Sequence, residues 1–325
     1  MPLSLPAAML DSASEIQNTA ALRQRMQAEG YLYFSRLFEP ARAEEVKRDV
    51  MAILRRHCII EDDDVPDPLW SGGPQPTEAE YMAVYERIVE LESFNQLANA
   101  PEIRAVLEAL CGEAITVWEQ RLIRLVYPDP QAVAAQGIGA HQDGDPKLGY
   151  RAQRFYTCWL ALMHIDSTIG GLALAPGSHR MGLLESSGNV ASSRRESSLP
   201  DYGLDADQLS WVTANYAPGS ALIFTSRTAH RGLPNHSERL RLSCDFRYQR
   251  ASETASWIAH APGPEARRTC QQIDEILAGR ALYVKTRATP QILAAVRRRM
   301  LEERSTSLAR AQELALEIQK EDPAS

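Results

Sequence analysis

Pro218-Gly-Ser-Ala-Leu-Ile-Phe224, then His230-Arg-Gly-Leu-Pro-Asn235, then Arg239-Leu-Arg-Leu-Ser-Cys-Asp-Phe-Arg247 is the stretch on which the fold turns. The run after Gly219 reads as a strand, and Gly232-Leu-Pro-Asn235 reads as the turn that reverses it. Beyond the turn the residues alternate. Arg239, Arg241, Ser243, Asp245 and Arg247 share one face, and Leu240, Leu242, Cys244 and Phe246 share the other. The apolar face must be buried. The charged face either meets water or points guanidinium groups inward for a reason.

Apolar runs of the same texture occur at 115–127, 154–165, 171–175, 211–216, 220–225 and 239–248, divided by Gly, Pro and Asp. Several short strands with turn signals read as a sandwich or barrel. Helical segments flank them. Residues 15–58 read as helical around a strand at Gly30-Tyr-Leu-Tyr-Phe34, and the stretch from Glu39-Pro40 carries a proline and acids in its first turn. A Pro/Gly/Asp loop covers 61–77, and a second helical stretch covers 78–110. After about residue 265 the chain reads as helical again. Residues 290–321 form a charged helix whose thin apolar stripe (Ile292, Val296, Leu308, Ile318) is expected to pack on the domain or on a second subunit.

A chain of 325 residues, 44% of them hydrophobic, can bury a full core and is within range for one barrel or sandwich with helical additions. The formal charge of −7 gives no reason to expect nucleic acid or an anionic membrane as partner. Arg194-Arg195 and Arg297-Arg298-Arg299 read as solvated faces. No apolar run approaches the length of a membrane span. The segment Met1 to Leu10 lacks the basic-then-apolar pattern of a signal peptide. The five cysteines (Cys58, Cys111, Cys158, Cys244, Cys270) are odd in number and form no CxxC pair, so buried thiols in a reducing cytoplasm are expected.

His141-Gln-Asp143 and His230 together offer two imidazoles and one carboxylate. That is the ligand set of the facial triad of non-haem Fe(II) oxygenases, which leaves open positions on the metal. Arg241, eleven residues after His230, supplies a fixed cation for a carboxylate; Arg239, on the same strand face, is its rival. A His-x-Asp triplet alone is weak evidence, since residues i and i+2 of any strand share a side. His164-Ile-Asp166 is a second instance, read as the close of an apolar strand, and His236-Ser-Glu238 is a carboxylate variant inside a polar turn. His141-Gln-Asp143 is set apart by its Gly-rich approach and by Gly144-Asp145-Pro146 after it, which place it at a strand end beside a loop.

At these residues the sequence resembles the phytanoyl-CoA dioxygenase-like branch of the Fe(II)/2-oxoglutarate oxygenases, over roughly residues 25–250. Gly30-Tyr-Leu-Tyr-Phe with Leu-Phe-Glu-Pro resembles the family's opening strand and helix. Gly170-Gly-Leu-Ala-Leu-Ala-Pro-Gly-Ser-His179 is the most specific match, and Pro218 to Phe224, His230, Asn235 and Arg241-Leu-Ser243 resemble its last strands. The resemblance implies a mostly β, α+β fold, a double-stranded β-helix (jelly roll) core with helices packed on one side. The N-terminal helices and a helical C-terminal extension are read from the residues themselves. The chain reads as a single catalytic domain over 1–325, with helical support at 15–110, the core at 115–250, a lid-like insertion at 182–210 and an extension at 265–322. Neither the insertion nor the extension matches the family's pattern. A loop as long as that insertion is usually a functional lid or a mobile segment.

Carried over by resemblance, His141, Asp143 and His230 are the metal ligands, and Arg241 with Ser243 anchors the distal carboxylate of 2-oxoglutarate. Thr157 and Arg124 line the co-substrate pocket, and His179 is a structural, hydrogen-bonded residue. The implied cofactor is Fe(II), with 2-oxoglutarate and O2 as co-substrates and succinate and CO2 as products. Asp143 favours hydroxylation, because relatives that halogenate lack this carboxylate; desaturation, ring closure and epimerisation share the same chemistry. The implied partner is a small molecule, such as a secondary-metabolite or amino-acid-like intermediate, and the C-terminal helix also fits a homodimer. Two readings compete with this one: a jelly-roll metalloenzyme of hydrolase or isomerase type, and a non-catalytic binding protein on the same fold. The first leaves Arg241 and Ser243 unexplained, and an intact triad argues against the second.

Overall fold

The helices begin and end where the sequence supplies caps. In a computed structural model, α1 (Thr19–Glu29) starts with the Asn18 side chain accepting from the Ala21 amide and stops at Gly30, whose φ of +81° a side chain would resist. α2 (Pro40–Arg56) opens with proline in its first turn. α3 (Glu78–Val89) opens with a capping box between Thr77 and Glu80. The helical stretch at 78–110 is in fact three helices: α3, then α4 (Glu92–Ala98) and α5 (Pro101–Cys111). Leu91 and Ala100 are both extended, and Ala100 precedes a proline, which disfavours the helical conformation there. The Asn95 side-chain amide donates to the carbonyls of Val89 and Leu91 and so bridges the first break.

The structure describes residues 7–61, 65–129, 140–144, 154–183, 209–253, 277, 290–303, 305 and 307–321. The insertion expected as a lid falls, over 184–208, outside the described residues. Nine strands are described: β1 (Ala7–Ala8), β2 (Tyr31–Phe34), β3 (Ile115–Val126), β4 (Tyr156–Ala161), β5 (Leu172–Leu174), β6 (Val212–Thr213), β7 (Ala221–Thr225), β8 (His230–Gly232) and β9 (Arg241–Arg250). They form a larger sheet in the order β2-β7-β4-β9-β3, with every pair antiparallel, and a smaller one in the order β1-β6-β5-β8. β1 runs parallel to β6, a pairing with no sign in the residue pattern. An isolated antiparallel bridge between His141 and His230 extends the smaller sheet beyond β8.

Register decides which way the polar face of β9 points. Ser243 lies opposite Arg124 on β3 and Ala161 on β4, and Arg247 lies opposite Thr157 on β4. Paired residues share a face of the sheet. The other face packs on the helices: Phe246 meets Phe94 of α4 at 5.3 Å between ring centroids, and the Tyr248 hydroxyl donates to the Ala98 carbonyl. The polar face therefore looks toward the smaller sheet. Arg241, Ser243, Asp245 and Arg247 are all buried, so this is not a solvent-facing strand. An aromatic layer joins the two sheets, with Tyr216 against Trp159 at 4.7 Å and against Tyr33 at 5.7 Å, and Phe224 against the His230 ring at 4.7 Å.

The chain divides into two compact units, residues 1–260 and 261–325, where the sequence suggested one catalytic domain with an extension. In the second unit the single helix expected over 290–321 is a pair, α6 (Pro290–Glu302) and α7 (Leu308–Glu321). Ile292, Val296 and Met300 close on Ala311, Leu314 and Ala315, so the apolar stripe is satisfied within the hairpin, while Leu308 is exposed. Arg310 of α7 pairs with Glu303, just past the end of α6, and with Glu313 and Glu317 of its own helix. No helix among the described residues is long and apolar enough to cross a membrane.

Candidate metal centre

His141 and His230 are brought together by backbone pairing: each amide donates to the other's carbonyl at 2.9 Å. The strand ends there, and the Gly144 amide turns back onto the Ser226 carbonyl. Gln142 points away from the cluster and is pinned by bonds to the carbonyls of Gly182 and Arg227, which leaves His141 and Asp143 on one side. The potential ligand atoms of His141, Asp143 and His230 all lie within 4.8 Å of one another. Asp143 Oδ1 is 3.6 Å from His141 Nε2 and 3.7 Å from His230 Nε2.

The protonation of the cluster suits a cation. His230 Nδ1 lies 3.0 Å from the Thr228 carbonyl, which can only accept, so Nδ1 carries the proton and Nε2 turns its lone pair to the cluster. Burial, and then the neighbouring His141, depress the His230 pKa from 6.5 to about 4, so the ring is neutral at ordinary pH. Burial alone would raise the Asp143 carboxyl. Arg247, His230 and His141 overcome it and hold the group well below the usual carboxylate range. Two imidazoles and one carboxylate, with no competing ligand of the same type beside them among the described residues, are a donor set that fits a divalent first-row metal.

A second set of polar atoms lies along β9. Arg241 is buried, and its Nη1 donates to the carbonyls of Gly170 at 2.6 Å and Gly171 at 3.3 Å. Its Nε and the Ser243 hydroxyl are both buried without a hydrogen-bond partner. Buried polar groups are rarely left so. Burial, and then the like charge of Arg124, lower the Arg241 pKa to about 10, so the guanidinium remains charged and has an unmet demand for an anion. Arg239, the rival anchor, is half-exposed and paired with Asp67 at 2.7 Å on the outside of the sheet. Gly170 and Gly171 make room for this arrangement: a Cβ at Gly170 would lie 2.1 Å from the Pro234 carbonyl oxygen, and one at Gly171 would lie 2.5 Å from the Tyr216 ring.

The other expected residues are placed as follows. The Thr157 hydroxyl donates to Asp143 Oδ2 at 2.6 Å, and Arg124 makes a two-pronged pair with Asp245 at 2.6 and 3.1 Å. Each side chain thus has a carboxylate partner inside the protein. His164 is exposed, and Asp166 accepts from the amides of Thr168 and Ile169 to close a turn. His236 and Glu238 are exposed as well. His179 Nε2 lies 3.0 Å from the Gln27 carbonyl, in keeping with a structural role. Asp245 and Arg247 were not singled out as site residues, although they continue the alternation that places Arg241 and Ser243. Arg247 reaches both Asp245 and Asp143.

The family model described as phytanoyl-CoA dioxygenase (PhyH) matches residues 26–243, which contain the whole cluster together with Arg241 and Ser243. The chain belongs to the phytanoyl-CoA dioxygenase family. Among curated members, this phytanoyl-CoA dioxygenase homologue is 31% identical over 186 residues to 1-deoxypentalenic acid 11-beta-hydroxylase from Streptomyces exfoliatus. That match takes in 53% of this chain and 62% of the relative, less than two thirds of the relative's length. Among solved structures, the carbocyclase SnoK from nogalamycin biosynthesis aligns with a TM-score of 0.52 at 17% identity, covering 79% of this chain and 92% of that one. The epimerase SnoN, crystallised with Fe3+, alpha ketoglutarate and nogalamycin RO, aligns at 0.51 and 16% identity, covering 76% and 95%. At such identities the likeness is one of fold.

Proposed function

We propose that this protein is an Fe(II)- and 2-oxoglutarate-dependent oxygenase that hydroxylates an unactivated carbon of a small molecule. One observation carries the reading. A cluster of His141, Asp143 and His230 shares the space between two sheets with a buried, charged Arg241 whose Nε, like the Ser243 hydroxyl, has no partner. A hydrolytic metal site has no use for that second feature, whereas a dicarboxylate co-substrate needs both. Membership of the phytanoyl-CoA dioxygenase family supports the same assignment.

In this mechanism His141 Nε2, Asp143 Oδ1 and His230 Nε2 hold Fe(II), which when bound supplies the redox chemistry that couples decarboxylation of 2-oxoglutarate by O2 to oxidation of a substrate carbon. Arg241 and Ser243 bind the far carboxylate of 2-oxoglutarate and so orient the molecule along β9. Thr157 orients the Asp143 carboxylate. The aromatic layer of Tyr33, Trp159, Tyr216 and Phe224 closes the interior against water. The double-stranded β-helix, a single catalytic domain and a lid role for 182–210 belong to the same reading. So does a reducing cytoplasm, in which Cys111, Cys158 and Cys244 remain buried thiols. The substrate proposed is a secondary metabolite under tailoring, by analogy with the named hydroxylase relative.

Anaerobically purified protein given Fe(II), ascorbate, 2-oxoglutarate and then O2 is expected to form succinate slowly by itself and faster with its substrate. Folded, metal-loaded protein that forms none across a panel of terpenoid, polyketide and amino-acid-like compounds would remove this reading.

A further inference from the structure

The two oxygens of Asp143 are not equivalent. Oδ2 accepts the Thr157 hydroxyl at 2.6 Å, while Oδ1 is the oxygen that faces both imidazole Nε2 atoms, at 3.6 and 3.7 Å. Arg247 approaches from the neighbouring strand, and its Nη2 stands 3.4 Å from each Asp143 oxygen. Its Nη1 is far closer to Asp245 Oδ2, at 2.5 Å. Asp245 is in turn held by two bonds from Arg124. Charges therefore alternate across the face in the order Asp143, Arg247, Asp245, Arg124, and the first three are buried.

A guanidinium beside a ligand carboxylate is a hazard. With no other partner it closes into a two-pronged pair at about 2.8 Å and competes with a cation for the same oxygens. The difference between 2.5 and 3.4 Å shows where this guanidinium is actually held. We propose that Asp245 draws Arg247 back from Asp143, so that with Thr157 holding Oδ2 the carboxylate offers Oδ1 alone to a metal ion. Asp245 and Thr157 are thus positioning residues for the metal site. This inference rests on the metal reading given above.

The test uses Co(II) alone as the probe on the full-length metal-free protein, following the dissociation constant and the visible absorption of the bound ion. Asp245→Asn is expected to weaken Co(II) binding by about tenfold or more, the size of effect seen when outer partners of metal ligands are lost. Adding Arg247→Met to that variant should restore affinity near the wild-type value, because the competing guanidinium is gone. A purely structural role for Asp245 predicts no such rescue. Thr157→Val should weaken binding by about tenfold and shift the absorption as Oδ2 is released. Should Asp245→Asn not fold, Arg247→Met alone is expected to bind as tightly as wild type. Wild-type affinity in Asp245→Asn, no rescue by Arg247→Met, a loss in Arg247→Met alone, or a wild-type spectrum in Thr157→Val would each overturn the inference. Failure of the folded wild-type protein to bind Co(II) would instead remove the metal reading itself.

Discussion

At the scale of single residues, burial sets the chemistry. Arg241 and Arg239 are two positions apart on one alternating run. One is sealed between sheets with an unmet donor, and the other pairs with Asp67 at the surface. Arg241→Ala is therefore expected to raise the 2-oxoglutarate concentration needed for half-maximal succinate formation far more than that of any substrate, while Arg239→Ala leaves it near wild type. The reverse pattern would move the anchor to Arg239. His230 gives a pH prediction. Its folded pKa of about 4 lies below the ordinary 6.5, so between these values the unfolded chain binds a proton that the folded chain does not. Stability of the metal-free protein should accordingly fall as pH drops from about 6.5 to 4. Asp143 and Asp245, whose folded pKa values are depressed, add their loss only below the ordinary carboxylate value of 3.8. His230→Gln should remove the upper part of this slope in chemical denaturation. An unchanged slope would mean the ring is charged in the fold.

At the scale of elements, glycines and register do the positioning. Gly170 adopts φ +71° and leaves no room for a Cβ beside Pro234, whereas Gly72 has the same φ with nothing within 4 Å. Both alanine variants bear the backbone cost of about 1–3 kcal/mol. Gly170→Ala must in addition move the chain that gives Arg241 its carbonyl partners, so it is expected to lose clearly more stability in denaturant melts and to bind 2-oxoglutarate more weakly. Equal losses in the two variants would show that the close approach is relieved at no cost. The elements were legible in the sequence wherever pattern and punctuation agreed. The β9 alternation, the turn at Gly232-Leu-Pro-Asn235 and the Gly170-Gly171 segment all behave as their residue types require. The break at Ala100 carried a sign in Pro101, whereas the break at Leu91 and the hairpin within 290–321 were not legible, because the apolar spacing continues across each and only packing reveals it.

At the scale of the molecule, the residues of the proposed site all lie in the unit spanning 1–260, so metal binding should report on that unit's stability. At a free metal concentration a hundredfold above its dissociation constant, binding adds about 2.7 kcal/mol. For a domain of this size that corresponds to a rise in melting temperature of roughly 5–10 °C. Asp143→Ala is expected to fold and to lose the rise. A rise retained in that variant would place the ion elsewhere.

The residue types and spacing picked out the candidate cluster of His141, Asp143 and His230 and the strand that carries Arg241 and Ser243, and the resemblance of the motifs pointed to the family. Each is written in local pattern: which side chains alternate, where the chain must turn, which groups can bind a cation or an anion. The direction of the polar face of β9 was decided only in three dimensions, since alternation says that two faces differ and not which one meets water. The same holds for the chain of charges from Asp143 through Arg247 and Asp245 to Arg124: Asp245 and Arg247 are neighbours on β9, but Arg124 on β3 and Asp143 lie far from them in sequence and meet them only in the fold. Long-range register is a property of the folded sheet. It alone brings a hydroxyl to one oxygen of Asp143 and leaves the other facing two imidazoles.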